Sequence, residues 1–143
     1  MLKKLKLQNL ALIEIIEINF KKGLNVFTGE SGSGKSLILD SLNSLFGGTN
    51  IPLNHLIRPG KDECLIQAVF EITPFIRNFL QDNNQFIPSD KLTISRNTFK
   101  KDSKVVSKFT LNDKVVKKKF LSELGSLLTV SYTHLTLPTT RYV

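Results

Sequence analysis

GLNVFTGESGSGKSLILDSL, residues 23–42, connects two apolar segments through a glycine-rich loop. Residues 24–28 have the short apolar centre expected of a β-strand. From Lys35 onward the pattern changes, because Leu37, Ile38, Leu42 and Leu45 recur at the spacing of one helical face. Gly47 and Gly48 are expected to end that helix. The stretch therefore predicts a strand, a loop and a helix in succession, as in an α/β fold.

The loop itself, residues 29–36, has the spacing of a phosphate-binding loop: a glycine, four residues, then Gly-Lys-Ser. Glycines allow successive backbone N–H groups to point at phosphate oxygens, and the N-terminus of the following helix favours the same anions. We expect Lys35 to reach the outer phosphates and the Ser36 hydroxyl to ligate Mg²⁺. A flexible Gly/Ser turn is the alternative interpretation, but the flanking strand and helix favour nucleotide binding. The candidate residues are Gly29, Glu30, Ser31, Gly32, Ser33, Gly34, Lys35 and Ser36.

Alternation of apolar and polar residues predicts strands elsewhere, so the fold class is α/β with a mixed sheet whose N-terminal strands are antiparallel. One main helix is expected to pack against this sheet. Residues 2–20 predict two strands connected near Asn9, and residues 112–113 predict a turn. The further predicted strands are residues 65–72, 92–99 and 105–111, and the further predicted helices are residues 74–81 and 116–124.

Length and composition limit the class of protein. A chain of 143 residues is sufficient for one domain with a real core. No apolar run approaches the roughly 18 residues that span a bilayer, so we expect no membrane segment. The single cysteine, Cys64, excludes a disulfide within the chain and fits a reducing, cytoplasmic setting. His55 and His134 have no cysteine or histidine near them in sequence, which argues against a metal site.

A nucleotide hydrolase with such a loop also needs an apolar strand that ends in an acidic residue, which helps to hold Mg²⁺. The nearest match is Ala68-Val69-Phe70-Glu71, which is short and better explained as the end of an amphipathic strand. Asp40 follows Ser36 by one helical turn and is expected to have a surface or packing role. The sequence therefore predicts nucleotide binding and no complete hydrolytic site.

The positive charge is concentrated in one segment. Residues 91–119 contain ten Lys or Arg against Asp102 and Asp113, a net charge of +8, which equals the net charge of the whole chain. Such a segment can follow a phosphate backbone, and Lys117, Lys118 and Lys119 are the candidate nucleic-acid contacts. A solvated face of a hairpin and helix is the alternative, and the interleaved Phe99, Phe109 and Phe120 fit a core equally well.

Several stretches resemble the RecN family of bacterial DNA repair proteins, which is related to SMC-type chromosome proteins and ABC ATPase heads. The similar segments are NLALI at residues 9–13, GLNV at 23–26, TGE at 28–30, LIRPGKDECLIQAVFEI, TISR and TLNDKVV. The resemblance covers residues 1–130, which are expected to form the N-terminal lobe of an ATPase head. It implies ATP at residues 29–36, with Lys35 on phosphate and Ser36 on Mg²⁺. Arg58 lies in a stretch that in SMC-like heads comes near nucleotide or DNA, although a surface loop explains it equally well.

The resemblance also implies a longer protein, with two head halves separated by coiled-coil arms, a second head as a homodimer partner, and recombinational repair of DNA double-strand breaks in the bacterial nucleoid. The acidic motif, signature loop and glutamine loop of such ATPases are missing from these 143 residues, so hydrolysis by this chain alone is not expected. Residues 131–143, SYTHLTLPTTRYV, depart from the family and are expected to be non-native or disordered. Two alternatives stay open: another SMC-like, ABC-like or RecF-type head, and a nucleic-acid-binding module that is not an enzyme.

Overall fold

The computed structural model describes residues 2–20 and 31–128, with side chains from residue 37 onward in the second range. Its strands are β1 (Leu2–Leu10), β2 (Ile13–Asn19), β3 (Glu63–Glu71), β4 (Lys91–Lys101), β5 (Lys104–Leu111) and β6 (Lys114–Val115). They form one six-stranded sheet in the order β2-β1-β3-β4-β5-β6. All five neighbouring pairs among these described strands are antiparallel. The sheet was predicted to be mixed, with the strand at residues 24–28 as one of its members. That strand lies outside the described residues.

The helices are α1 (Ser31–Leu45), α2 (Pro74–Asp82) and α3 (helical residues 118–128), with a 3₁₀ turn at Leu53–His55. The predicted helix that opens at Pro74 is confirmed. Proline suits the first helical turn, and the Thr73 hydroxyl caps the helix by accepting a hydrogen bond from the Ile76 N–H at 3.2 Å. Pro74 therefore begins the helix and does not interrupt it.

Alternation along the central strands separates a buried face from a partly buried one. In β3, residues 64, 66, 68 and 70 are buried, and in β4, residues 92, 94, 96 and 98 are buried. The opposite face carries polar pairs such as Gln67 and Ser95, whose side chains hydrogen-bond at 3.0 Å. A period of two with one apolar face is the pattern of an antiparallel sheet that is covered on one side. The predicted α/β fold class with antiparallel N-terminal strands is thus confirmed.

The first two strands differ from the sequence prediction at their connection. Asn9 was predicted to begin the connection, but β1 continues to Leu10 and the turn consists of Ala11 and Leu12. Asn9 has a left-handed backbone with φ of 51°, which asparagine tolerates, so the chain twists there without leaving the strand. Segment 56–58 holds the turn, because the Ala11 N–H donates to the Leu56 carbonyl at 2.8 Å.

The last predicted helix begins later and extends further than its apolar pattern indicated. Residues 116–124 were predicted, whereas α3 covers residues 118–128. Val116 instead prolongs the sheet, since its N–H donates to the Phe109 carbonyl at 2.9 Å beside the short strand β6. The buried stripe of α3 then consists of Leu121, Leu124 and Leu128.

One hydrophobic cluster includes residues from the inner face of the sheet and from all three α-helices. Phe46, directly after α1, packs against Phe70 of β3 with ring centroids 6.0 Å apart. Phe79 of α2 stacks on Phe120 of α3 at 5.6 Å. The core therefore joins α1, which carries most of the glycine-rich loop, to the rest of the described fold.

Candidate functional site

Most of the predicted phosphate-loop residues belong to the first turns of α1. Residues 31–36 are helical, whereas Gly29 and Glu30 lie outside the described residues, as do the side chains of residues 31–36. The helix begins at Ser31, four residues before the predicted start at Lys35. The prediction placed the start too late because it relied on the apolar stripe, whose first residue is Leu37. The first N–H groups of an α-helix have no acceptor within the helix and point outward along its axis. The free N–H groups at the N-terminus of a helix are, in general, a favourable place for an anion.

The apolar stripe of α1 fixes this helix on the inner face of the sheet. Ile38, Leu42 and Leu45 are buried and Leu37 is partly buried, as the spacing predicted. Contacts of α1 with the sheet are made to β3 and β4. Because α1 is a single continuous helix from residue 31 to residue 45, the direction of its N-terminus follows from how the rest of it is packed.

The C-terminal end of α1 is held by polar groups as well. The Arg96 guanidinium donates through Nη1 to the Ser44 carbonyl at 2.7 Å, and the Ser122 hydroxyl of α3 donates to the Phe46 carbonyl at 3.1 Å. The Gly47 N–H also donates to the Ser44 carbonyl at 3.0 Å. The last carbonyl groups of a helix need such partners when they are buried.

Arg96 is the residue that the sequence interpretation missed, since the pattern of charge placed it with the exposed basic segment. Its side chain is only 7% exposed, and burial lowers the pKa of its guanidinium. Arg96 occupies an inward position of β4, two residues after Ile94 and two before Thr98. The period of two that identified β4 was the available signal, because it places residue 96 on the buried face.

The two acidic candidates have structural partners. Asp40 accepts a hydrogen bond from the Asn50 amide nitrogen at 3.1 Å, which agrees with the predicted surface role. Glu71 is exposed at the end of β3 and lies 3.6 Å from the Lys3 amino group. Among residues 2–20 and 31–128, no group of three or more His, Cys, Asp or Glu is arranged to hold a metal ion. His55 is exposed, and His134 lies outside the described residues.

Arg58, for which the family resemblance raised a nucleotide or DNA contact, is engaged with the β1–β2 turn. Its Nη1 donates to the Leu12 carbonyl at 2.7 Å, and its backbone N–H donates to the Asn9 carbonyl at 2.8 Å. The guanidinium therefore stabilises a turn whose Ala11 residue has a positive φ of 50°.

The lysines of the basic segment lie mainly in two groups, with exposed Lys108 between them on β5. Lys100, Lys101 and Lys104 lie at the β4–β5 turn, and the chain then runs back along β5 before it reaches Lys114. At about 3.3 Å per residue, the eight residues of β5 separate the two groups by roughly 25 Å. Lys117, Lys118 and Lys119 are all exposed at the start of α3, as a nucleic-acid contact requires.

Of the aromatic residues near these lysines, Phe109 and Phe120 belong to the core, whereas Phe99 lies on the opposite face of β4. Phe109 is buried, while Phe99 and Phe120 are partly buried, and Phe120 is stacked on Phe79. A groove of about 580 Å³ lies between α2 and α3, with Phe75, Phe79 and Leu127 among its lining residues and none from α1. None of the residues that line this groove belongs to the glycine-rich loop.

The chain matches the AAA domain family over residues 4–137. It is 35% identical over 129 residues to the DNA repair protein RecN of Synechocystis sp., 34% over 128 residues to RecN of Rickettsia felis, and 30% over 131 residues to RecN of Bacillus subtilis. In each case 90% of this chain is covered, and it spans 22% of the length of that relative.

Solved structures of the recombination mediator protein RecF resemble the fold. The RecF–ATP structure superposes with a TM-score of 0.59 at 14% identity, covering 81% of this chain and 27% of RecF. A second RecF structure, titled RecF-ATPrS, gives a TM-score of 0.60 at 16% identity, covering 82% and 28%. Within the described part of the chain, no helix combines the length and apolar character needed to cross a membrane. The predicted resemblance to the N-terminal part of RecN is thus confirmed, and the chain belongs to the AAA domain family.

Proposed function

We propose that this chain is the ATP-binding part of a RecN-type ATPase that acts in recombinational repair of DNA double-strand breaks. The observation that carries the proposal is the position of the phosphate-loop pattern at the N-terminus of α1, which packs on β3 and β4. The RecN relatives support the repair assignment, and the RecF–ATP neighbour supports the choice of nucleotide. A RecN-type protein is favoured over a RecF-type protein because the sequence identity is 35% rather than 14%.

In this proposal, residues 29–34 supply backbone N–H groups to the phosphates, Lys35 neutralises the outer phosphates, and Ser36 ligates Mg²⁺. The activity assigned to the 143 residues is binding rather than hydrolysis. Asp40 is bonded to Asn50 and Glu71 is paired with Lys3, so we assign neither of them to the magnesium shell. The remaining groups would come from other parts of a longer protein and from a second head that faces this one in a homodimer.

Thermal stability measured with and without nucleotide tests ATP binding directly. A ligand at 100 times its Kd stabilises the folded state by about 2.7 kcal/mol, so saturating Mg·ATP should raise the Tm of the wild type by several degrees. We expect Lys35→Ala to abolish this rise and Asp40→Ala, one turn further along the same helix, to retain it. No rise in the wild type would refute the proposal and favour a binding module that does not use nucleotide.

The magnesium assignment is tested by comparing titrations of ATP with Mg²⁺ and with a chelator. Ser36→Ala should weaken binding of Mg·ATP while leaving binding of metal-free ATP unchanged, because only the metal contact is removed. Equal losses under both conditions would indicate that Ser36 acts on phosphate or on the loop conformation instead.

We further propose that DNA contacts of this lobe involve Lys117, Lys118 and Lys119, and that the protein acts in the cytoplasm at the nucleoid. Their exposure at the start of α3 supports this assignment. Changing all three to Glu should weaken DNA binding and reduce the slope of log K against log salt concentration by about 0.9 for each phosphate that is no longer neutralised. The matched control changes Lys100, Lys101 and Lys104, which lie at the other end of β5. Equal effects of the two triple variants would show a non-specific loss of charge.

Residues 1–130 are proposed to form the lobe, and residues 131–143 are proposed to contribute nothing to it. The family match extends to residue 137 and therefore includes the first seven residues of the proposed tail, 131–137. Genomic sequence across the codon for Ser131 tests the proposal, which predicts an open frame with glutamine in place of this tail. A stop codon after Val143 would contradict it.

A further inference from the structure

Arg96 is a buried cation without a described counter-charge. Its guanidinium donates through Nε to the Ser107 hydroxyl at 2.9 Å and through Nη1 to the Ser44 carbonyl at 2.7 Å. The Phe109 ring lies below it, 5.0 Å from the guanidinium carbon to the ring centroid. No carboxylate among the described residues forms an ion pair with it. Burying an arginine in this way costs desolvation that hydrogen bonds to neutral groups only partly offset, so stability alone does not explain the residue.

The partners of Arg96 belong to different elements. Ser107 and Phe109 are on β5, whereas the Ser44 carbonyl is at the C-terminal end of α1, where the helix dipole is negative. A cation at that end is attracted to the dipole, and the planar guanidinium links the end to the β4–β5 pair. Arg96 thereby fixes the position of one end of α1 relative to the sheet.

The other end of α1 carries residues 31–36 of the phosphate loop. At about 1.5 Å per residue, Lys35 lies roughly 13 Å along the helix axis from Ser44, so a tilt of about 5° at Ser44 moves the loop by about 1 Å. Displacements of that size matter for a site that must present several N–H groups to phosphate oxygens together. Apolar contacts alone hold a helix less directionally, because the hydrophobic effect does not depend on orientation.

We propose that Arg96 is a positioning residue for the phosphate loop, setting the orientation of α1 on the sheet and through it the affinity for nucleotide. This inference rests on the proposed binding of ATP. It assigns Arg96 a role in nucleotide affinity that is separate from the stability of the fold.

Arg96→Met separates these two roles. Methionine preserves much of the side-chain length. Both groups that accepted hydrogen bonds from Arg96 keep another hydrogen-bond partner in the variant. The Ser44 carbonyl keeps the Gly47 N–H at 3.0 Å, and the Ser107 hydroxyl keeps Thr98 at 2.8 Å. Since apolar replacement of a buried charge is often neutral or stabilising, the Tm without nucleotide should be unchanged or higher. The Kd for Mg·ATP should rise about tenfold, equivalent to ~1.4 kcal/mol.

Arg77→Met is the matched control. Arg77 of α2 also donates to two backbone carbonyls, those of Ile87 at 2.7 Å and Ser89 at 3.0 Å, neither of which belongs to α1. Its guanidinium also lies 3.9 Å from the exposed Asp90 carboxylate. Its replacement should leave the Kd for Mg·ATP unchanged. The pair of variants therefore distinguishes loss of any carbonyl-binding arginine from loss of the one at the end of α1.

Titration calorimetry with Mg·ATP, together with melting curves without nucleotide, gives distinct outcomes. A weaker Kd for Arg96→Met at an unchanged or higher Tm supports the inference. An unchanged Kd overturns it while leaving ATP binding intact, and a wild type that binds no ATP overturns both. If Arg96→Met does not fold, Arg96→Lys replaces it, since an ammonium group lacks the planar fork that reaches two acceptors. A folded Arg96→Lys with wild-type affinity would equally overturn the inference.

Discussion

The side chain of Lys118 lies across Gly47, so that a Cβ atom added at Gly47 would come within 2.9 Å of both Cγ and Cε of the lysine. Gly47 ends the turn after α1, where its backbone has a φ of +90°. The aliphatic stem of Lys118 thus covers the end of the phosphate-loop helix while its exposed position leaves the ammonium group at the surface. This contact brings one of the proposed DNA-binding lysines next to the helix that carries the proposed ATP site.

Gly47→Ala should destabilise the fold by about 1–2 kcal/mol, because an alanine at positive φ is strained and its Cβ displaces the Lys118 stem. Urea denaturation provides the measurement. Gly60→Ala is the control, since Gly60 has a similar φ of +85° with nothing within 4 Å of the added Cβ. In the double variant Gly47→Ala/Lys118→Ala the lysine stem is absent, so the loss of stability caused by Gly47→Ala should fall to that caused by Gly60→Ala. Equal losses at Gly47 and Gly60 would show that the lysine stem contributes nothing.

Gly125→Ala tests how closely α3 approaches the end of α1. An added Cβ would come within 2.6 Å of Cγ of the Phe46 ring. Alanine favours a helix over glycine by about 1 kcal/mol, but overpacking a core of this kind costs about 1–3 kcal/mol. We expect a net loss of stability in urea denaturation, whereas Ser126→Ala at the next, exposed position should be neutral or stabilising. A stabilised Gly125→Ala would mean that α3 can move away from Phe46 at little cost.

Strong periodicity explains why most of the fold could be predicted from the sequence. The strands predicted at residues 65–72, 92–99 and 105–111 correspond to β3, β4 and β5, with boundaries shifted by no more than two residues. In β3 and β4 one face is buried and the other is only partly buried, and this difference produces the period of two in the sequence. The helix stripe at Ile38, Leu42 and Leu45 is confirmed for the same reason.

Features that depend on tertiary contacts could not be read in the same way. The strand β6 has only two residues, too few for any period, and it exists because Thr110 and Leu111 pair with it. Counting charge along the sequence made the basic segment look continuous, although the strand predicted at residues 105–111 already separates its two ends. Ile16 satisfies the strand pattern but is 37% exposed, because β2 is the outer strand of the described sheet.

The Lys4–Glu17 pair joins β1 to β2 on the polar face, with Nζ and Oε1 separated by 2.8 Å. The hydrogen bond from Lys4, followed by its charge, lowers the pKa of Glu17 below the ordinary value. Any stability from this exposed pair is therefore present above the ordinary glutamate pKa and is lost as the pH falls through the lowered one. Lys4→Met should raise the pKa of Glu17 in an NMR titration. Lys6→Met should raise it less, because the charge of Lys6 is the smaller influence.

Cys64 allows the opening of the sheet to be measured, because it is the sole cysteine of the chain and only 3% exposed. It lies on the inner face of β3, between β1 and β4, and burial raises the pKa of its thiol. Since the thiolate is the reactive species, the native protein should react with a thiol reagent at pH 8 far more slowly than the urea-unfolded chain. Destabilising variants such as Gly125→Ala should accelerate the reaction if labelling requires global unfolding. A native labelling rate that Gly125→Ala leaves unchanged would instead show that β3 separates from its neighbours without global unfolding.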